Sequence, residues 1–256
     1  MLAVAHHGLL GPADPTPVEV LNPESRSQIL LVCEHAGRAV PAALNGLGVT
    51  EEVLESHRGW DIGAADVARR LAGALGAPLI LQRYSRLVID ANRPPGSPTS
   101  IPEVSHGAAV PANRGLTDAE RETRVAQILR PMDTAIAEAF ARHPRRAAIS
   151  IHSFTPHLNG QDRPWQAGFL SRRDLPTAEH LMASLHRADP NLILAINEPY
   201  RIEDDGDWFI PHHAEPRGVP HCLIEIRNDE IADDAGVARW ADRLAAALAD
   251  RLEALP

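Results

Sequence analysis

Two histidines stand directly behind apolar runs: His35 after Ile29-Leu30-Leu31-Val32-Cys33-Glu34, and His152 after Ala147-Ala148-Ile149-Ser150-Ile151. A third run, Cys222-Leu223-Ile224-Glu225-Ile226-Arg227, carries a carboxylate among apolar residues. Two imidazoles and one carboxylate are the protein ligands of a catalytic Zn²⁺ that keeps its fourth position for water. Such a metal polarises a carbonyl and makes its water acidic enough to react near neutrality. Glu225 is costly to bury without a partner. It reads as a general base whose raised pKa suits it to take a proton from that water, against a structural ion pair with a neighbouring Arg.

The ligating carboxylate is open between Asp61 and Glu34. Adjacent residues on a strand point to opposite faces, so Glu34 and His35 can share one metal only where the strand has already ended. Asp61 is therefore preferred, with a helix N-cap as its competing role. No His-Glu-x-x-His helix is present, and Arg38 stands three positions after His35. Arg93, following Asn92 in a Pro-rich loop, is a candidate clamp for a substrate carboxylate, because a guanidinium matches a carboxylate bidentately. Arg86 and Arg227 are further candidates. His57, His213 and Asn197 are polar residues near strand ends or loops that could line the same site.

These residues need a scaffold that brings strand ends together. Continuous apolar runs ended by small or polar residues read as buried strands of a parallel sheet. In open α/β sheets the functional crevice lies outside the carboxyl ends of such strands. Strands are expected at 29–33, 79–81, 87–89, 147–151, 168–171, 192–196 and 221–226. Helices are expected near 50–56, over 62–75, from 117 to about 142, over 175–187 and over 233–252. Thr117-Asp118-Ala119-Glu120 is a capping-box signature, Pro131 is a potential kink, and Gly76 is a stop. Alternating strands and helices make the class α/β, with a mixed, mostly parallel sheet flanked by helices. Residues 1–27 lack periodicity and read as an irregular N-terminal arm, frayed at its start. Residues 28–256 read as a single domain.

The chain as a whole constrains partners more than chemistry. Its 256 residues are enough for a large core without disulfides. A formal charge of −9 argues against nucleic acid as the main partner. Every basic side chain is Arg; there is no Lys. Cys33 and Cys222 both fall in expected core strands, where a free buried thiol is the plain reading. His6 and His7 lie near the start, with no basic segment leading into an apolar run, so no signal peptide is expected. No apolar stretch is long enough to span a bilayer, and a cytoplasmic protein is expected.

The ordered segments Cys33-Glu34-His35-Ala36-Gly37, Trp60-Asp61-Ile62-Gly63-Ala64, Tyr84 to Pro94, Ile151-His152-Ser153-Phe154, Asn197-Glu198-Pro199-Tyr200 and Ile224-Glu225-Ile226-Arg227-Asn228-Asp229 resemble the N-formylglutamate amidohydrolase family. The resemblance runs from about Leu30 to the end. Asn-Arg-Pro and Glu-Ile-Arg-Asn-Asp are its most specific parts. It implies a phosphorylase/hydrolase-like domain akin to the zinc carboxypeptidases and aspartoacylases. It also implies zinc-dependent hydrolysis of the amide of a small anionic N-acyl amino acid, most simply N-formyl-L-glutamate, as in histidine degradation. On that resemblance His35 and His152 would bind zinc, Glu225 would be the base, and Asn92-Arg93 would hold the substrate carboxylate. The alternatives are another zinc N-acyl-amino-acid deacylase, a carboxypeptidase-like enzyme, or a non-catalytic anion-binding protein on the same fold.

Overall fold

The computed structural model describes residues 8–255; the start of the arm, expected to be frayed, lies outside the described residues. Seven strands form the central sheet: β1 (Val18–Leu21), β2 (Ile29–Cys33), β3 (Leu79–Gln82), β4 (Ala147–Phe154), β5 (Ala167–Leu170), β6 (Leu194–Ile196) and β7 (His221–Arg227). Their order is β1-β3-β2-β4-β7-β5-β6. Strands β3, β2, β4 and β7 run parallel to one another, β1 is antiparallel to β3, β5 is antiparallel to β7, and β6 is parallel to β5. The sheet is thus mixed and mostly parallel, as expected. Two short hairpins at 104–109 and 157–162 complete the β structure among the described residues.

The described residues form six α-helices, α1 (Glu51–Glu55), α2 (Ala64–Leu75), α3 (Asp118–Arg124), α4 (Arg130–Arg142), α5 (Leu175–Ala188) and α6 (Asp234–Glu253), of which α2, α5 and α6 share one core with the sheet and α4 another. The central strands are buried on both faces, which is why β2 and β4 read as unbroken apolar runs. Alternate residues of β2 divide between two cores. Ile29, Leu31 and Cys33 pack with Leu71 of α2, Leu181 of α5 and Trp240 of α6. Leu30 and Val32 pack with Met132 and Ile136 of α4. This period-2 split fixes which side chains reach each helix layer.

Three local expectations change. The arm is not wholly irregular: Val18–Leu21 forms an edge strand paired with β3, too short for its alternation to stand out in sequence. Residues 87–89 form no strand. Leu87, Val88 and Ile89 are buried in a third cluster, with Leu47 and Ile128, beside a turn closed by Ser85. Their apolar run marks burial and not extension, the ambiguity inherent in short runs. The helix from 118 to 142 carries a π-helical turn at Val125–Leu129 just before Pro131, which sits in the first turn of α4. The capping box at Thr117 and Glu120 forms as expected.

Candidate active site

β2 ends at Cys33. Glu34 and His35 therefore leave the pleat, and both side chains can turn toward β4. The ring of His35 meets that of His152 edge-on, with centroids 4.7 Å apart. The Glu34 carboxylate reaches the other side of His152, with Oε2 3.0 Å from Nε2 and accepting from Ser150 Oγ at 2.6 Å. Ser150 and His152 share a face of β4, being two residues apart.

Asp61 enters from the loop before α2. Its N–H donates to the His35 carbonyl at 3.0 Å, and its Oδ2 accepts from the Ser153 N–H at 3.2 Å. The N-cap of α2 is Gly63, so Asp61 does not take the capping role. Gly63 has φ +78°, and a Cβ there would lie 2.4 Å from the Ile231 carbonyl oxygen; only glycine allows both the turn and this close approach. The sharp entry leaves Asp61 facing the sheet. Its Oδ2 lies 2.9 Å from His152 Nδ1 and 3.4 Å from His35 Nδ1. These three buried residues each present one ligand atom, all within 4.8 Å of one another.

The register of the parallel strands places Glu225 of β7 opposite His152, on the same face. Its side chain is buried and Oε2 has no partner. Burial pushes its carboxyl up to about 7, partly offset by the charge of His152. Asp61 behaves oppositely. Burial alone would raise it, but the charge of His35 and hydrogen bonds with His152 and His35 hold it well below the usual carboxylate range.

A cavity of about 340 Å³ opens over this cluster. Of the residues anticipated from sequence, His35, His57, Arg86, Asn92, Arg93, His152 and Glu225 line it. Burial pushes the His57 imidazole down to about 4, which keeps it neutral. Arg86 donates to Asp61 Oδ1 at 3.3 Å and to Asp90 Oδ2 at 3.1 Å. Arg93 lies with Nε 3.9 Å from Asp90 and donates to the Gly206 carbonyl. The Asn92 side chain is committed within the protein: it donates to Asp207 and accepts from the N–H groups of Trp208 and Phe209. It fixes the rim loop.

Three anticipated residues lie elsewhere. Arg227 pairs with Asp229 and Glu230 below the rim. His213 pairs with Asp133 of α4, and Asn197, with φ +57°, caps the Ser171 N–H. In each case a local structural partner takes the polar group. The structure adds Asp90, whose Oδ1 is 2.6 Å from His35 Nε2, and the lining residues His106, Tyr200, Arg201 and Asp207. Asp90 had a signal in sequence, two positions before Asn92. Tyr200 had one too, at the end of the Asn197-Glu198-Pro199-Tyr200 segment; His106, Arg201 and Asp207 come from loops without a pattern.

The donor set fits a divalent cation. Two imidazole nitrogens and a carboxylate oxygen face one another in a buried space, the chemistry of a three-ligand catalytic metal site. Four buried carboxylates, from Glu34, Asp61, Asp90 and Glu225, crowd the cluster, where Arg86 and His35 each face both Asp61 and Asp90. Buried negative charge in such excess calls for a positive partner.

A strand-end crevice over such a cluster, in a mixed α/β sheet, is a site for acid–base or metal-assisted chemistry, and comparison with known proteins gives its class, a hydrolase acting on an amide. The model of the N-formylglutamate amidohydrolase family matches residues 27–232, and the chain belongs to that family. A gene product of Agrobacterium tumefaciens of solved structure is 35% identical, superposes with a TM-score of 0.90, and is matched over 96% of this chain and 98% of its own. The N-formylglutamate amidohydrolase from Ralstonia eutropha JMP134 shares the fold at 18% identity and a TM-score of 0.63, over 93% of this chain and 98% of that one. No curated protein matches the sequence significantly.

Proposed function

We propose that the protein is a zinc-dependent, cytoplasmic amidohydrolase that cleaves N-formyl-L-glutamate with water to give formate and L-glutamate. The observation that carries this reading is the juxtaposition of His35, Asp61 and His152 at the floor of a cavity whose wall holds Glu225 and three arginines, Arg86, Arg93 and Arg201. His35 Nδ1, Asp61 Oδ2 and His152 Nδ1 would hold the metal, which when bound supplies Lewis acidity for the acyl carbonyl and for the attacking water.

The remaining work falls to the chain itself. Glu225, unpaired at Oε2 and raised by burial, takes a proton from the attacking water and delivers it to the departing amine nitrogen. Arg86 faces the cavity from behind Asp61 and Asp90 and stabilises negative charge on the carbonyl oxygen. Arg93, a third exposed, holds a substrate carboxylate. Asn92 orders the 203–207 rim that closes against it. Expulsion of water from the cavity strengthens each of these contacts.

The test is metal content and formate release from N-formyl-L-glutamate in wild type and Glu225→Ala. The wild type is expected to carry about one zinc per chain and to turn over. The variant should keep the metal and lose about 10²–10⁴-fold in rate. Comparable turnover in both would remove Glu225 as the base, and acetate release outpacing formate release across a set of acyl donors would change the acyl group.

A further inference from the structure

Of the three arginines that line the cavity, two are already engaged. Arg86 donates to Asp61 and Asp90. Arg93 donates to the Gly206 carbonyl and has its Nε 3.9 Å from Asp90. Arg201 is exposed and has no hydrogen-bond or ion-pair partner among the described residues. We infer that Arg201 is a specificity-determining residue: it pairs with the side-chain carboxylate of an N-formyl dicarboxylic amino acid, while Arg93 takes the α-carboxylate. This rests on the functional reading above and deepens it, because it names the residue that separates an acidic substrate from its neutral isostere.

Both chain neighbours of Arg201 are anchored, while its own head group is left free. Tyr200 Oη accepts from Arg163 at 2.9 Å, and the same guanidinium lies 4.9 Å from the centre of its ring. Ile202 is buried in the core that β2 shares with α4. Placement decides which carboxylate each arginine meets. The α-carboxylate stands on the carbon that bears the scissile nitrogen, so it lies beside the reacting centre. Arg93 is joined to that centre through Asp90, itself 2.6 Å from His35. A glutamate side chain carries its carboxylate two methylenes further out, on the part of the wall where Arg201 has no link to the cluster. Two protein carboxylates line the cavity nearby, and neither occupies Arg201. Asp207 accepts from Asn92 and from the Glu203 N–H, and Glu203 Oε2 and Arg93 Nη1 both border Gly206. A guanidinium only donates, in a fork that matches two carboxylate oxygens. A carboxamide offers it one oxygen and sets an NH₂ group against its remaining donors.

The experiment uses the full chain and compares kcat/KM for N-formyl-L-glutamate with kcat/KM for N-formyl-L-glutamine, which differs only at the end of the side chain. Wild type is expected to prefer the acid by about ten- to a hundredfold, the size expected for a charged hydrogen bond. Arg201→Ala should erase most of that preference, chiefly through KM, because the contact is the same in the bound substrate and in the transition state. Arg201→Lys should restore part of it, since an ammonium keeps the charge and loses the fork. A loss that falls equally on both substrates would place Arg201 at the α-carboxylate or in the scaffold and overturn the inference. A preference that Arg201→Ala leaves intact, or a wild type that takes both substrates alike, overturns it too and leaves the functional reading standing. A wild type that releases formate from neither overturns the functional reading and this inference with it.

Discussion

His35 and Glu34 are neighbours in the chain that approach one imidazole from two sides, and this was only half legible. The sequence shows that both follow a strand. Whether they can share a site depends on the strand ending at Cys33, a matter of one residue that periodicity does not resolve. Asp90 escaped notice for a related reason: reading residues 87–89 as a strand treats it as a strand end like any other, whereas the buried turn swings it onto His35. His35, Asp61, His152 and Glu225 were legible because each combines a reactive side chain with an apolar setting that makes it costly to hold idle. Arg93 is the residue on which substrate binding turns in this reading. Removing a charged hydrogen-bonding partner costs about 1.5–3 kcal/mol, so Arg93→Ala should lower kcat/KM for N-formyl-L-glutamate by about ten- to a hundredfold. Arg93→Lys should recover only part of this, since an ammonium cannot make the paired contact. Steady-state kinetics decide; equal kcat/KM in wild type and Arg93→Ala would take Arg93 out of substrate binding.

At the scale of elements, the parallel strands and their helices were legible because burial on both faces leaves a composition that little else produces. The turns were not, because their residues are chosen for local backbone and polar contacts. Two such places carry the site. Gly63 turns the chain from Asp61 into α2 with φ +78° against the Ile231 carbonyl. A side chain there adds about 1–2 kcal/mol of left-handed strain to the clash. Gly63→Ala should therefore lower the urea midpoint with an unchanged slope, and an unmoved midpoint would mean that the turn relaxes freely. Asn113 ties down the loop that carries Arg86, Asp90 and Arg93. Its Nδ2 donates to the carbonyls of Leu87 at 2.8 Å and Pro102 at 2.7 Å, and its Oδ1 accepts from the buried Arg124 at 2.6 Å. Asn113→Ala leaves buried carbonyls and a guanidinium short of partners, at about 2–4 kcal/mol. The same denaturation measurement checks it, and a loss below about 0.5 kcal/mol would mean that water replaces the amide.

For the whole molecule, composition spoke about partners and the fold about access. Among the described residues no helix is long and apolar enough to cross a membrane. Cys33 and Cys222 are both fully buried, and burial pushes the Cys222 thiol well up, so the native protein should resist iodoacetamide and react at both cysteines once unfolded. Rapid labelling before denaturation would show that the central strands open. The larger global consequence concerns the carboxylates gathered around His35 and His152. Without a cation their mutual repulsion opposes the packing of β2 against β4. A metal that binds the folded chain and not the unfolded one stabilises by mass action, about 2.7 kcal/mol when its free concentration is a hundred times Kd. For a domain of this size that is about 5–10 °C in Tm. Chelator-treated protein is therefore expected to melt lower and to lose formate release, with zinc restoring both together. A Tm indifferent to chelator and to added zinc would mean that Arg86 and protonated imidazoles already balance the cluster, and the donor set at His35, Asp61 and His152 would then be structural.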